Sequence, residues 1–211
     1  MNNVLLSIIT VVKNDVANIK SCIESVLAQK YSNFEYIIID GDSNDGTFEL
    51  INSYKGKISY ILSEPDKGIY DAMNKGIKLS KGKFIHFLNS DDKYFSPKTL
   101  KRLELLLQGN KMFYGKLIYK GENKSFSLGQ SFDMKRELKF STVPQPTLFV
   151  PRSLYNDIGF FSLKYKIASD YDMVIRLTKK FPIRFVNIPT TIMSSGGISD
   201  KLMLLTFKEA K

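Results

Sequence analysis

The residues of this chain best able to do chemistry are carboxylates, and they recur where apolar runs stop. The stretch FIHFLNSDD, residues 84–92, passes from five mostly apolar residues almost directly into Asp91 and Asp92. Adjacent carboxylates repel each other and are costly to desolvate unless a lysine, a helix N-terminus or a metal ion sits beside them. Three other apolar runs give way to TVVKND, IIIDGDSNDGT and SEPDKG, so four run-ends carry an acid. Further along, SDYD at 169–172 sets Asp170 and Asp172 at the start of a helical pattern of Tyr171, Val174, Ile175 and Thr178. Acids so placed can accept hydrogen bonds from a base or ribose, hold a divalent cation or take a proton.

Other chemistries are poorly served. One cysteine, Cys22, and one histidine, His86, exclude an internal disulfide and a zinc site of the usual type. Cys22 lies in the pattern Ile19, Cys22, Ile23, Val26, Leu27, the buried face of a helix, and His86 lies midway along an apolar strand. Both read as core. Neither GxGxxG nor GxxxxGK[ST] occurs, so a Rossmann dehydrogenase or a P-loop enzyme is unsupported.

The elements that must position these acids alternate along the first 110 residues. Strand-like runs at 5–12, 34–40, 58–63 and 83–88 frame helical patterns at 18–29, 47–54 and 69–79, and Pro97 fits the first turn of a helix reaching about 108. Such alternation predicts βαβ units and a mostly parallel sheet with helices on both faces, an α/β fold. The second half is less regular: strands near 112–119 and 125–128, then a helix over about 170–180, with the proline-containing TVPQPTLFVPRS between. The simplest organisation is one domain over 1–211 with two functional halves. At 211 residues, 43% apolar and 25% charged, the chain has the composition of a globular protein.

In open parallel sheets, ligands sit beyond the carboxyl ends of the strands, which is where the four acid-bearing run-ends fall. Asp40 precedes a tight turn and can accept hydrogen bonds from a base N–H or ribose hydroxyls, while Asp45 or Thr47 suits the cap of the next helix. Side chains alternate along a strand, so one of Asp91 and Asp92 is expected at a metal and the other at ligand hydroxyls. The positive partner that best fits is Mg²⁺ or Mn²⁺ delivered with a diphosphate; the competing reading is a pair of acids capping the helix after Pro97.

These stretches resemble family 2 glycosyltransferases with the GT-A fold, of the kind that build bacterial surface polysaccharides. The resemblance rests on SIITVVKND, IIIDGDSNDGT, SEPDKGIYDAMNKGI, GKFIHFLNSDD, ASDYDMVIRL and GGIS, which cover most of the chain in family order. It implies a nucleotide-diphosphate sugar donor, a metal-dependent site, a saccharide acceptor and inversion at the anomeric carbon. It also implies a nucleotide-sugar half at 1–110 and an acceptor half at 111–211. Asp40 would then contact the nucleobase, with Asp42 and Asp66 around the nucleoside; Thr10, Asn14 and Asn74 join the donor-binding set. SDD stands where the family has its DxD motif, giving Asp91 to ribose or sugar and Asp92 to the metal. The family's catalytic base is the acid of a Glu-Asp pair before a helix; Ser169 replaces the Glu, Asp170 holds the Asp position and Asp172 is its rival. Pro144 and Gln145 stand where the family often has His-Gln.

Competing readings are a nucleotidyltransferase, or a non-catalytic sugar-nucleotide or nucleic-acid binding protein. No RNP-like motif supports nucleic acid. The apolar run 4–12 lacks the flanks of a signal peptide, and no segment has transmembrane length, so a cytoplasmic protein is expected. Net charge is +10, unevenly placed: residues 1–110 carry 14 basic and 13 acidic residues, residues 111–211 carry 17 and 8. Such a basic half would suit an acceptor carried on a lipid diphosphate at the inner membrane face. The cluster 202–205 with Phe207, flanked by Lys201 and Lys208, could add a shallow apolar contact, which predicts salt-sensitive peripheral association.

Overall fold

The computed structural model describes residues 4–121 and 124–194. In the first half, the apolar runs become strands β1 (Leu6–Val12), β2 (Phe34–Asp40), β3 (Tyr60–Ser63) and β4 (Phe84–Phe87). Helices α1 (Val16–Leu27), α2 (Thr47–Asn52) and α3 (Ile69–Leu79) connect them. All four strands pair in parallel, in the order β3-β2-β1-β4, so strand order reverses beside β1. That reversal opens a crevice at the carboxyl ends of β1 and β4, where such sheets receive ligands.

The second half contains strands that periodicity did not reveal. After β4 the chain runs through β5 (Asp92–Tyr94), helix α4 (Thr99–Gln108) and strands β6 (Met112–Lys120) and β7 (Ser125–Leu128). It continues through α5 (Met134–Glu137), a 3-10 turn at Gln145–Thr147, β8 (Leu148–Pro151), α6 (Leu154–Ile158), α7 (Ser169–Lys180) and β9 (Ile183–Ser194). The sheet extends as β4-β8-β6-β9-β5, with β7 on β6; β8 is antiparallel to β4 and β6, β9 is parallel to β6, and β5 is antiparallel to β9. Helix α4 starts at Thr99, two residues beyond Pro97, whose carbonyl accepts from Lys30 N–H. The strand β5 is remote from β4 along the sheet, yet Tyr94 Oη lies 3.0 Å from His86 Nδ1 on β4. The sheet therefore curls until its far edge returns to its centre.

Apolar residues fill both faces. Helices α1, α2 and α4 cover one, against Leu6, Ile8, Tyr36 and Ile38; α3, α6 and α7 cover the other, against Ile9, Val11, Ile37 and Ile39. The two sets alternate along β1 and β2, as a pleated strand buried on both sides requires. Close approach is built in at Gly76 of α3, where a Cβ would lie 2.5 Å from Ile9 Cγ2. No helix among the described residues is long and apolar enough to cross a membrane. The stretch GGIS and the cluster 202–207 lie outside the described residues.

Candidate active site

The loop after β2 is held by its own acids. Asp40 is fully buried; its carboxylate accepts from Ser43 N–H at 3.1 Å, Ser43 Oγ at 2.5 Å and Ser63 Oγ at 2.7 Å. These three bonds order the turn and tie β2 to β3. Asp42 is exposed and adopts φ 63°, the left-handed region, as does Asn14 at φ 52° after β1. Asn14 Oδ1 accepts from Asn44 N–H at 2.9 Å and Asn14 N–H donates to Ser43 Oγ at 2.8 Å, so the loops after β1 and β2 are laced together. Asp66 joins them from the loop after β3: its Oδ2 occupies the space where a side chain at position 41 would begin. A side chain at 41 would displace the Asp66 carboxylate from this position. Asp45 accepts from Thr47 N–H and Val16 N–H, while the N-cap position of α2 falls to Gly46, without a side-chain cap.

Two members of the expected donor set are held by neighbours within the protein. Thr10 points into the layer beneath α1, fully buried, its hydroxyl 3.1 Å from Tyr36 Oη, because pleat alternation directs it into the core. Asn74 spends its amide on one backbone unit, donating to Phe161 O at 3.0 Å and accepting from Phe161 N–H at 2.9 Å. Both side chains are thus engaged by partners within the protein.

Beyond β4, Asp92 is only 2% exposed. Its Oδ2 accepts from Asn89 Nδ2 at 3.3 Å, its backbone N–H donates to Asn89 O at 3.0 Å, and its Oδ1 is buried without a hydrogen-bond partner. Burial, and then the charge of Asp91, push its carboxyl well above the usual carboxylate range. Neither acid caps α4, which begins after Lys98, so the competing capping role is not realised. Ser90 Oγ donates to Asp15 Oδ2 at 2.6 Å, joining this loop to the start of α1. Among the described residues no group of three or more His, Cys, Asp or Glu side chains could hold a metal ion. An Mg²⁺ or Mn²⁺ site commonly needs only one or two carboxylates, with substrate phosphates and water completing it, and the unpartnered Asp92 oxygen fits that demand.

The first turn of α7 carries Asp170. Its Oδ1 accepts from Tyr70 Oη at 3.1 Å and from Tyr171 N–H at 2.9 Å. Burial raises its carboxyl above the ordinary range, against those two hydrogen bonds. Asp170 lines a cavity of about 10 Å³ with Phe87, Gln145, Tyr155, Phe161 and Met173, room for about one water. Asp172 is engaged differently. It pairs with Arg176 Nε at 2.8 Å, and Arg176 donates to the carbonyls of Ile158 and Phe160. His86 is core, as expected. Its Nε2–H donates to Pro146 O at 3.0 Å, so Nδ1 accepts from Tyr94 Oη, and burial pushes the imidazole down to about 3. Cys22 is buried and its thiol is pushed up to about 12, which makes it inert.

Residues 7–170 match the sequence profile described as Glycosyl transferase family 2. The chain belongs to glycosyltransferase family 2. A PGL/p-HBAD biosynthesis glycosyltransferase of Mycobacterium bovis is 32% identical to it over 208 residues, covering 94% of this chain and 80% of the relative. Among solved structures, S. aureus TarS in complex with UDP-GlcNAc superposes with a TM-score of 0.76 at 20% identity over 91% of this chain. The mannosyltransferase PcManGT from Pyrobaculum calidifontis, in complex with GDP-Man and Mn²⁺, gives 0.71 at 13% identity over 97%. The chain spans 59% and 63% of those two proteins, and at such identities the likeness concerns the fold.

In this family 2 chain, the site residues that sequence reasoning missed are Tyr70 and Asn89. Tyr70 has the spacing i, i+3, i+7 with Met73 and Ile77 on the apolar face of α3, a signal that could have drawn it in. Asn89 carried none beyond adjacency to SDD.

Proposed function

We propose that this family 2 glycosyltransferase moves a sugar, with inversion, from a nucleoside-diphosphate donor to a hydroxyl of a saccharide acceptor in glycolipid or polysaccharide assembly. The observation that carries this reading is the presence of two unlike buried carboxylates, one just beyond β4 and one in the first turn of α7. Asp92 is buried with one unpartnered oxygen, and Asp170 is desolvated enough to gain basicity while held by Tyr70. The mycobacterial relative's glycolipid-type name and the sugar nucleotides bound to TarS and PcManGT support the same class of donor and pathway.

The donor's nucleoside would lie across the laced loops of Asn14, Asp42 and Asp66, which Asp40 orders from beneath. Asp91 would meet ribose or sugar hydroxyls. Asp92, with Asp91 beside it, would hold Mn²⁺ or Mg²⁺, whose Lewis acidity offsets charge on the departing diphosphate. Asp170 takes the acceptor hydroxyl's proton as that oxygen attacks the anomeric carbon and the bond to diphosphate breaks. Both hydrogen bonds to Asp170 fall on Oδ1, which directs proton uptake to Oδ2. One displacement suffices, so no nucleophilic side chain is needed. The acceptor is proposed to be lipid-linked, met by the basic second half at a membrane surface.

The test is a screen of UDP- and GDP-sugars with Mn²⁺, following release of nucleoside diphosphate. Release of free diphosphate nucleotide that EDTA abolishes is expected. Pyrophosphate formation instead would make the protein a nucleotidyltransferase, and binding without turnover a non-catalytic one.

A further inference from the structure

Helix α5 and the residues after it reverse the usual distribution of side chains. Glu137 is fully buried, while Leu138 and Phe140 are 55% and 69% exposed. The segment is anchored at both ends, by Phe132 packed against the core and by buried Val143. Between them Asp133 Oδ1 accepts from Arg136 N–H at 2.8 Å, and Phe140 N–H donates to Arg136 O at 2.9 Å. Glu137 closes the loop from beneath, its carboxylate accepting from Thr142 N–H at 2.8 Å and from Thr142 Oγ1. With that acid turned inward to hold the backbone, the exposed positions of residues 135–140 fall to Lys135, Arg136, Leu138, Lys139 and Phe140. Single exposed apolar residues are ordinary, but two large ones among three bases form a surface with a particular complement. A saccharide could stack on the phenyl ring, yet it makes no demand for three cations. A second copy docked on the same patch would set those bases against each other. An anionic bilayer answers both features: its headgroups take the bases and its acyl boundary takes the leucine and the phenylalanine. The position of the segment matters as well. Tyr171 Oη donates to Glu137 O at 2.9 Å, and Tyr171 N–H donates to Asp170 Oδ1 at 2.9 Å. Helix α5 thus stands against the first turn of α7, beside the carboxylate assigned to the acceptor's proton.

We propose that residues 135–140 are the membrane-contacting element of this protein, with Leu138 and Phe140 seated at the headgroup level of an anionic bilayer and Lys135, Arg136 and Lys139 on its phosphates. The assignment rests on the membrane-surface acceptor proposed above, and its test separates the two. The chain has no tryptophan, so Phe140→Trp carries a single reporter; Leu105→Trp on α4, where Leu105 is 82% exposed, is the control. Both variants are mixed with vesicles of phosphatidylglycerol and phosphatidylcholine, and with phosphatidylcholine alone, at low and high salt. Emission and quenching by brominated acyl chains are read beside co-sedimentation. With anionic vesicles at low salt, the emission of Phe140→Trp is expected to shift to the blue and to be quenched, while Leu105→Trp stays as in water. High salt is expected to reverse the shift, because two side chains are too small an anchor without the bases. Replacing both apolar residues, Leu138→Ser with Phe140→Ser, is expected to weaken partitioning about tenfold. Co-sedimentation with a silent Phe140→Trp, or with equal shifts in both reporters, removes this segment and leaves the membrane reading standing. A shift that appears without vesicles and grows with protein concentration assigns the patch to a second copy and overturns the proposal. Absence of co-sedimentation removes the membrane reading and this assignment with it. Should circular dichroism show the double variant unfolded, the two tryptophan reporters decide.

Discussion

Asp170 and Asp172 stand two residues apart on one helix, and their neighbours assign them different work. Asp172 is engaged by Arg176, which in turn anchors the carbonyls of Ile158 and Phe160. The hydrogen bonds to Asp170 come instead from a phenol and a backbone N–H. Asp170→Asn should therefore lower kcat by roughly 10²–10⁴ with donor affinity nearly kept, the usual worth of a general base. Asp172→Asn should instead lower thermal stability and leave more of the turnover. The reverse pattern in steady-state kinetics would transfer the base to Asp172. The pH profile offers a second view of the same group. A base works only when deprotonated, so activity falls as pH drops through its pKa, and burial has already moved that fall above the ordinary carboxylate range. Tyr70→Phe removes a bond that favours the charged form, so the acid limb of kcat/KM should move to still higher pH.

Among the elements, α3 illustrates how close packing overrides local preference. Replacing a helical glycine by alanine ordinarily gains about 1 kcal/mol. At Gly76 the new methyl would sit 2.5 Å from Cγ2 of the fully buried Ile9. Overpacking of this kind costs about 1–3 kcal/mol, so Gly76→Ala should destabilise on balance, read as a lowered Tm. The same helix shows what the sequence made legible. Its bounds, 69–79, and those of β2, 34–40, follow from periodicity and flanking glycines, because one element at a time determines them. The β5 strand of three residues opens on Asp92 and looks like a loop, since its partner β9 lies about a hundred residues on. Pro189 disguises β9 itself; it sits where the β6–β9 register shifts, the irregular place at which an interior strand tolerates proline. In the site, acids at strand ends were legible because parallel strands deliver their carboxyl ends to one edge of the sheet. The inward turn of Thr10 and the attachment of Asn74 to Phe161 depend on tertiary partners, and a linear pattern does not carry them.

For the molecule as a whole, surface charge acquires meaning against a partner, and the natural partner of the proposed lipid-linked acceptor is an anionic bilayer. Residues 111–211 carry 17 basic and 8 acidic residues. Near such a surface each basic residue contributes about 1 kcal/mol, an attraction that salt screens. Co-sedimentation with anionic vesicles is expected at low salt and is expected to disappear at high salt, with neutral vesicles leaving the protein in solution. No binding to anionic vesicles at low salt would remove the membrane from the proposal, and binding indifferent to salt would indicate apolar insertion.

The clasp between β4, β5 and the turn at Gln145–Thr147 has a spectroscopic consequence. Its centre is the chain's one histidine, stacked on Phe149 at 4.1 Å and bonded through both ring nitrogens. An imidazole held near pKa 3 should give one NMR signal that stays still from pH 5 to 8, where an ordinary histidine titrates. Tyr94, its phenol partner, lies two residues beyond Asp92, and Pro146 follows Gln145 beside Asp170. That solitary resonance is thus a built-in gauge: a donor settling at one carboxylate or an acceptor at the other would be heard at the same nitrogen-bearing ring.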